Sequence, residues 1–396
     1  AREAVTADRR SPAGRNDRPA PQSFVWGVST SSYQIEGATR EDGRGPSIWD
    51  GFCRQPGRIA NGDTGEQACD HYHRYRQDIA LMRSLGVKAY RFSVAWPRVL
   101  PAGRGAINAA GLAFYDRLVD GLLEAGIEPW LCLYHWDLPQ ALQDLGGWTN
   151  RDSAGWFSDY ARLIAGRLGD RVKRFATFNE PSVFTLFGYS FGWHPPATDD
   201  VESFHAVIHH VNLAHGAAVD VLRAEVAGAS VGVIHNIQPS RPVRPTPADR
   251  KAAAILDDIW NKAFPDPQIV GDYPVSLRAG IDLHRRDGDM ERIRRPLGTR
   301  VFKPQEIYRQ VRNVAPDLIV HFGDLYWRSI GGVGYPEIHV LENDTGPDDC
   351  NHAQFGSFIL ASSNNPLNGP YEGAHLLDMA FSFKQKTAYD IPPSMQ

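Results

Sequence analysis

Three features of the sequence predict an α/β fold, built as a parallel (β/α) barrel more than as an open sheet. From Phe24 onward, short apolar runs of β character alternate with longer stretches of helical period. Five such units follow without a break, at lengths that suit parallel strands with right-handed crossovers. Polar and aromatic residues gather where successive runs end: Gln34, Trp96, His135 with Trp136 and Asp137, and Asn179 with Glu180. In a TIM barrel the C-terminal strand ends carry the active site. One such residue means little, but a series at successive strand ends is a site hypothesis.

Residues 1–21 carry Arg, Pro, Asp and Gly with no period and are expected to form a disordered extension. They are basic and polar and lack the apolar stretch of a secretory signal. The initial Ala1 fits a processed or partial chain. The predicted strands are 24–29, 89–96, 128–136, 174–181 and 231–239, and the predicted helices 73–85, 110–125, 152–168 and 203–227. In the first helix Ile79, Met82 and Leu85 share a face, and Gly86 supplies the stop.

The 396 residues suit one large barrel or two average domains, and either buries a substantial core. Lys and Arg number 42 against 46 Asp and Glu, a net charge of −4. Phosphate binding needs a clear positive excess, so the balance argues against nucleic acid as the main partner. No apolar run reaches the length of about 18 residues that marks a membrane span. Cys53, Cys69, Cys132 and Cys350 lie far apart without a CxxC pair. That argues against structural zinc and a disulfide framework, and makes a reducing cytoplasm the expected compartment. Ten Trp and fourteen Tyr suit sugar-stacking platforms, but composition alone points first to a large aromatic core.

Six separated segments, in order, resemble family 1 glycoside hydrolases, the β-glucosidase family. They are FVWGVSTSSYQIEGATREDGRGPSIWD (24–50), YRFSVAWPRVLP (90–101), LYHWDLPQAL (133–142), GGWTNRD (146–152), TFNEPSVF (177–184) and NKAFPDPQIVGDYP (261–274). The resemblance covers about residues 22–295 and implies a (β/α)8 TIM barrel that works with two carboxyl groups. In retaining glycosidases these stand about 5–5.5 Å apart, one a general acid/base and the other a nucleophile. Glu180 matches the family's acid/base, whose pKa should be raised by its setting. By the same resemblance Asn179 bonds the sugar 2-OH, Gln34 and His135 grip the 3-OH and 4-OH, and Trp136 shares their pocket. Arg91 would lie near the nucleophile and keep it ionised, and Asn236 fits a polar residue of the same rim.

Blander readings exist for each. Asn179-Glu180-Pro181 alone could be a surface turn before a helix, with Pro181 at its first position. A lone His135 could be a satisfied core histidine, but beside Trp136 and Asp137 at a strand end the ligand reading is preferred. His205 and His209, with His215 farther along, lie on one predicted helix. No carboxylate or third ligand is spaced to join them, so a plain helix face is expected and no metal site. Asp42-Gly43-Arg44-Gly45 reads as a tight loop without the Lys-Ser/Thr of a phosphate cradle.

The family pattern breaks near Pro296 and Leu297. A sixth strand ending Asn-Tyr-Tyr, the Thr-Glu-Asn-Gly nucleophile segment and a Trp-rich eighth strand are expected there and are not present as such, and no Trp follows Trp327. Three apolar runs do follow, at 317–323, 337–343 and 356–361. The middle one ends Leu341-Glu342-Asn343, so Glu342 is the nucleophile if these runs complete the barrel. The linkers oppose that: 324–336 holds Gly331, Gly332, Gly334 and Pro336, and 344–355 is rich in Asp, Gly, Pro and Asn. A parallel crossover needs about 10–12 residues, usually helical.

Segments 315–334, 342–361 and 372–380 resemble instead the C-terminal part of the type I phosphodiesterase/nucleotide pyrophosphatase group of the alkaline phosphatase superfamily. His352 would fall in that family's metal region, while the rest of its two-metal site belongs to an upstream half not found here. Residues 381–388 fit neither family. The expected organisation is therefore chimaeric. It comprises the extension 1–21, a TIM barrel over 22–295 that is incomplete after its fifth strand, and a non-native α/β tail over 296–396. The expected function is retaining hydrolysis of β-glucosides or related β-glycosides, with a small glycoside or oligosaccharide as partner and no cofactor. The alternatives are a sugar-binding remnant without a nucleophile and, third, a metal-dependent phosphodiesterase. Oligomeric state is left open.

Overall fold

The structure, a computed structural model, describes residues 25–294 and the backbone of Arg300–Phe302 and Ile319–His321. Five strands form one sheet: β1 Gly27–Ser29, β2 Ala89–Ser93, β3 Glu128–Tyr134, β4 Arg174–Asn179 and β5 Ser230–Ile234. They are hydrogen-bonded in sequence order, each pair parallel. Helices His71–Ser84, Ala109–Glu124, Ser153–Leu168 and Val201–Glu225 fill the crossovers. Strands in sequence order with helical returns are the first five units of a (β/α)8 barrel.

Local chemistry sets the element ends. Gly86 and Gly126 both adopt φ +74, and a Cβ at either would meet nothing within 4 Å. Their role is conformational, a left-handed residue that turns the chain from helix into the next strand. Asp200 caps the longest helix by accepting from Glu202 N at 3.3 Å and Ser203 N at 2.8 Å.

The strands stop earlier than their apolar runs, for identifiable reasons. Pro97 belongs to the first turn of the helix Trp96–Val99, Trp136 turns at φ +78, and Pro181 opens the helix Pro181–Thr185. Trp96, Trp136, Glu180 and Asn236 therefore stand just beyond their strands. The β4–β5 register also shifts between Ala176 and Asn179, a bulge of the kind that re-aims side chains beside sites.

Aromatic residues do fill the core. Trp96 stacks on Tyr160 with centroids 4.6 Å apart and planes 8° apart. Trp148 meets Tyr134, Phe157 and Phe178 edge-on. Trp96 and Trp148 are fully buried.

Two expectations need correction. The helix carrying His205, His209 and His215 is more than a plain helix face, because it is packed against β4, against the helix Ser153–Leu168 and against the helices after β5. His209 is buried, with Nδ1 2.9 Å from Tyr273 Oη and Nε2 2.9 Å from Asp289 Oδ2. Asp289 is a carboxylate partner that sequence spacing placed out of reach. His215 Nδ1 lies 2.8 Å from Thr177 Oγ1. The run 317–323 does contain a strand, β7 Ile319–His321, but it pairs antiparallel with β6 Arg300–Phe302 instead of extending the parallel sheet. The runs 337–343 and 356–361 lie outside the described residues, as do 1–21. Among the described residues no helix is long and apolar enough to cross a membrane.

Candidate active site

The residues singled out from the sequence come from five successive strand units. Gln34 lies in the helical turn Ser32–Ile35 after β1, and Arg91 is within β2. His135 and Trp136 follow β3, Asn179 ends β4 with Glu180 next to it, and Asn236 follows β5. Glu342 lies outside the described residues.

Asn179 is the hub. Its Oδ1 accepts from Arg91 Nη1 at 2.9 Å, and its Nδ2 is 3.2 Å from His135 Nε2. Trp136 Nε1 donates to the Asn179 carbonyl at 2.8 Å. A guanidinium can only donate, so Arg91 fixes which end of the amide faces it. Nδ2 then faces His135, Nε2 of that ring accepts, and the imidazole proton sits on Nδ1. Burial, with Arg91 adding to it, holds His135 well below its usual pKa, so the ring is neutral.

Glu180 occupies the left-handed region at φ 48, ψ 61, and its N–H donates to Ile234 O at 2.7 Å. Such conformations in a non-glycine residue persist only where the surroundings over-determine them. Asn236 Nδ2 lies 3.4 Å from Glu180 Oε1. Burial raises the pKa of Glu180 above the usual carboxylate range, while Arg91, Asn179 and Asn236 oppose the rise. A raised carboxyl at a strand end can deliver a proton to a leaving oxygen. The surface-turn reading has the local geometry right, since Pro181 does open a helix, but Pro181 is buried.

Gln34 bonds locally, through Oε1 to the Ser31 hydroxyl, and is not bonded directly to the other named residues. The turn that carries it is tied to the neighbouring units through Ser32, Ser93 and Asp137, of which Ser32 and Ser93 were missed in sequence reasoning. Ser32 Oγ donates to Asp137 Oδ2 at 2.7 Å, and Ser32 N donates to Ser93 Oγ at 2.7 Å. The available signal was a polar residue at the end of each of three neighbouring runs. An aromatic wall also flanks the site. His194 stands between Trp136, 5.5 Å away, and Trp49, 5.4 Å away, and the wall reaches solvent at Trp193.

Comparison with known proteins bears on this geometry. The family "Glycosyl hydrolase family 1" matches residues 16–296. The chain is 44% identical over 282 residues to beta-glucosidase A of Acetivibrio thermocellus, covering 70% of this chain and 63% of that protein. It is 45% identical over 260 residues to beta-glucosidase A of Thermotoga maritima, covering 65% and 58%. The chain thus spans about 60% of the length of these curated relatives. Among solved structures, the family 1 β-glucosidase of Thermotoga maritima superposes with a TM-score of 0.66 at 43% identity, covering 69% and 63% of the two chains. The psychrophilic beta-glucosidase of Micrococcus antarcticus gives 0.68 at 46%, covering 70% and 60%.

Proposed function

The chain belongs to glycosyl hydrolase family 1, and from that premise we propose that it binds β-glucosides and hydrolyses them with retention, Glu180 acting as general acid/base. The observation that carries the proposal is the setting of Glu180. It is a carboxyl raised by burial at the end of β4, touched by Asn236 and adjoining the Asn179 hub. The relatives named as β-glucosidases support the substrate class. In this reading Asn179, Gln34 and His135 hold sugar hydroxyls, Trp136 shares the pocket, and Arg91 supports the charge of the nucleophile. Glu342 is the nucleophile only if residues 296–396 complete the barrel, a reading that rests on sequence alone.

The two-part organisation is retained as part of the reading. A β-glucosidase-type region to about residue 295 is followed by a segment resembling phosphodiesterases. The family match ending at residue 296 supports that boundary. Four cysteines spaced far apart without a CxxC pair support a reducing, cytoplasmic setting. The span of about 60% of the relatives favours a second reading, sugar binding without turnover.

Hydrolysis of an aryl β-glucoside, beside equilibrium binding of a non-hydrolysable aryl β-thioglucoside, separates the readings. Wild type is expected to turn over and Glu180→Gln to lose about 10²–10⁴-fold; loss of turnover with retained binding in Glu342→Gln would mean that residues 296–396 complete the barrel and would overturn the two-part organisation. Binding without turnover by wild type selects the second reading, and no binding overturns both.

A further inference from the structure

Asp137 follows His135 and Trp136 directly, yet nothing in the proposed chemistry uses it. It is completely buried among the described residues. Its Oδ2 accepts from Ser32 Oγ at 2.7 Å, and its Oδ1 has no hydrogen-bond partner among the described residues. A buried carboxylate with an unused oxygen is costly, and stability alone does not explain it. Ser32 Oγ also lies 3.1 Å from Ser93 Oγ, which accepts from Ser32 N. Ser93 ends β2, Asp137 follows β3, and Ser32 begins the turn that carries Gln34. One residue from each of three neighbouring strand units therefore meets in a single buried cluster.

The placement has a geometric consequence. Gln34 and His135 stand on strand units that are not neighbours, since β2 lies between β1 and β3. The ladder hydrogen bonds between the strands end before either residue. Beyond those ends the Ser32–Ser93–Asp137 cluster is a further tie between the two segments. At Trp136 the chain turns through φ +78, so the direction of the His135 ring depends on what anchors the residues after it. Two anchors lie on that side: the backbone bond from Ile48 N to Leu138 O at 2.9 Å and, next to Trp136 itself, the Asp137 side chain held by Ser32.

We propose that Asp137, through Ser32 and Ser93, is a positioning residue that sets the spacing between Gln34 and His135 and so the fit of the sugar hydroxyls these two residues hold. The proposal rests on the glucoside-binding reading above. Asp137 touches no substrate in it and acts through the two grips.

The test is calorimetric binding of an aryl β-thioglucoside and of its 3-deoxy and 4-deoxy analogues to the full chain. Wild type, Asp137→Ala, Asp137→Asn and Ser93→Ala are compared. Asp137→Ala is expected to weaken binding of the parent compound about threefold to tenfold, the range of one neutral hydrogen bond. The loss should shrink for at least one deoxy analogue, because the hydroxyl that depends on the spacing is gone. Asp137→Asn keeps an acceptor oxygen for Ser32 and should restore most of the affinity. Ser93→Ala removes a single oxygen and should repeat the hydroxyl-dependent loss in part, which decides the matter if Asp137→Ala does not fold. Unchanged affinity in a folded Asp137→Ala or, failing that, in Ser93→Ala overturns the proposal. So does an equal loss for the parent and both analogues, which marks a purely structural role. Failure of wild type to bind the parent compound overturns the glucoside-binding reading instead, so the two failures are distinct.

Discussion

At the scale of single residues, charge placement governs the candidate chemistry. Burial raises Glu180 and the Arg91 cation lowers it. A general acid works while protonated, so kcat/KM should fall with one proton as pH rises through the Glu180 pKa. Removing the Arg91 charge should move that basic limb to higher pH. Arg91→Gln is expected to do so while lowering the plateau, because Asn179 loses the donor that orients it. A limb that stays in place would mean that Glu180 is not the group titrating. Asp137 makes a separate stability prediction, because burial lifts its pKa from 3.8 to about 7. Between those values the native state holds a proton that the unfolded chain has released, so the Asp137 contribution to stability falls as pH rises from 3.8 to about 7 and then levels. Asp137→Asn cannot titrate there. The difference in urea midpoint between variant and wild type should grow in the variant's favour across that window, and a flat difference would refute the assignment. The grouping of Glu180, Asn179, His135 and Arg91 was legible beforehand, because each sits in a contiguous motif at or near a strand end. The Asp137 cluster was not, because Ser32, Ser93 and Asp137 meet only when three strands align.

At the scale of elements, the sequence announced the strands and long helices well, since apolar period and the glycine stops are local properties. It read the strands too long at their C-terminal ends. There Pro97 and Pro181, both visible in the sequence, draw the chain into helix before the apolar run ends. The packing of the helices after β5 was illegible, because it depends on contacts such as His209 with Asp289, 80 residues away. Gly216 marks the tightest of these contacts. A Cβ there would stand 2.1 Å from the backbone oxygen of Arg292. Backbone cannot swing aside as a side chain can, so the helix Asp289–Ile293 must move outward. Gly216→Ala is expected to destabilise the fold by about 1–3 kcal/mol, in the range of overpacked cores, despite the better helix propensity of alanine. A urea midpoint equal to or above that of wild type would show that the segment yields at no cost.

At the scale of the whole molecule, sheet edges are the open question. Among the described residues β1 pairs only with β2 and β5 only with β4. A barrel strand with an unpaired side exposes a row of N–H and C=O groups, a template for another chain. β5 is buried along its whole length in side-chain terms, so an edge there would be apolar as well as unpaired and therefore doubly prone to association. About 40% of each relative's own length lies outside the match, and this chain carries residues 296–396 after its matched part. Removing those residues makes their contribution measurable. A chain ending at residue 295 is expected to self-associate at micromolar concentration in sedimentation velocity, and to do so more than the full chain. Adding a charge on the exposed rim, by Ile237→Lys at a residue 48% exposed just past β5, should reduce that association without altering the helical content. If the two chains sediment alike, residues 296–396 cover neither edge, and the five-strand unit tolerates its open sides alone.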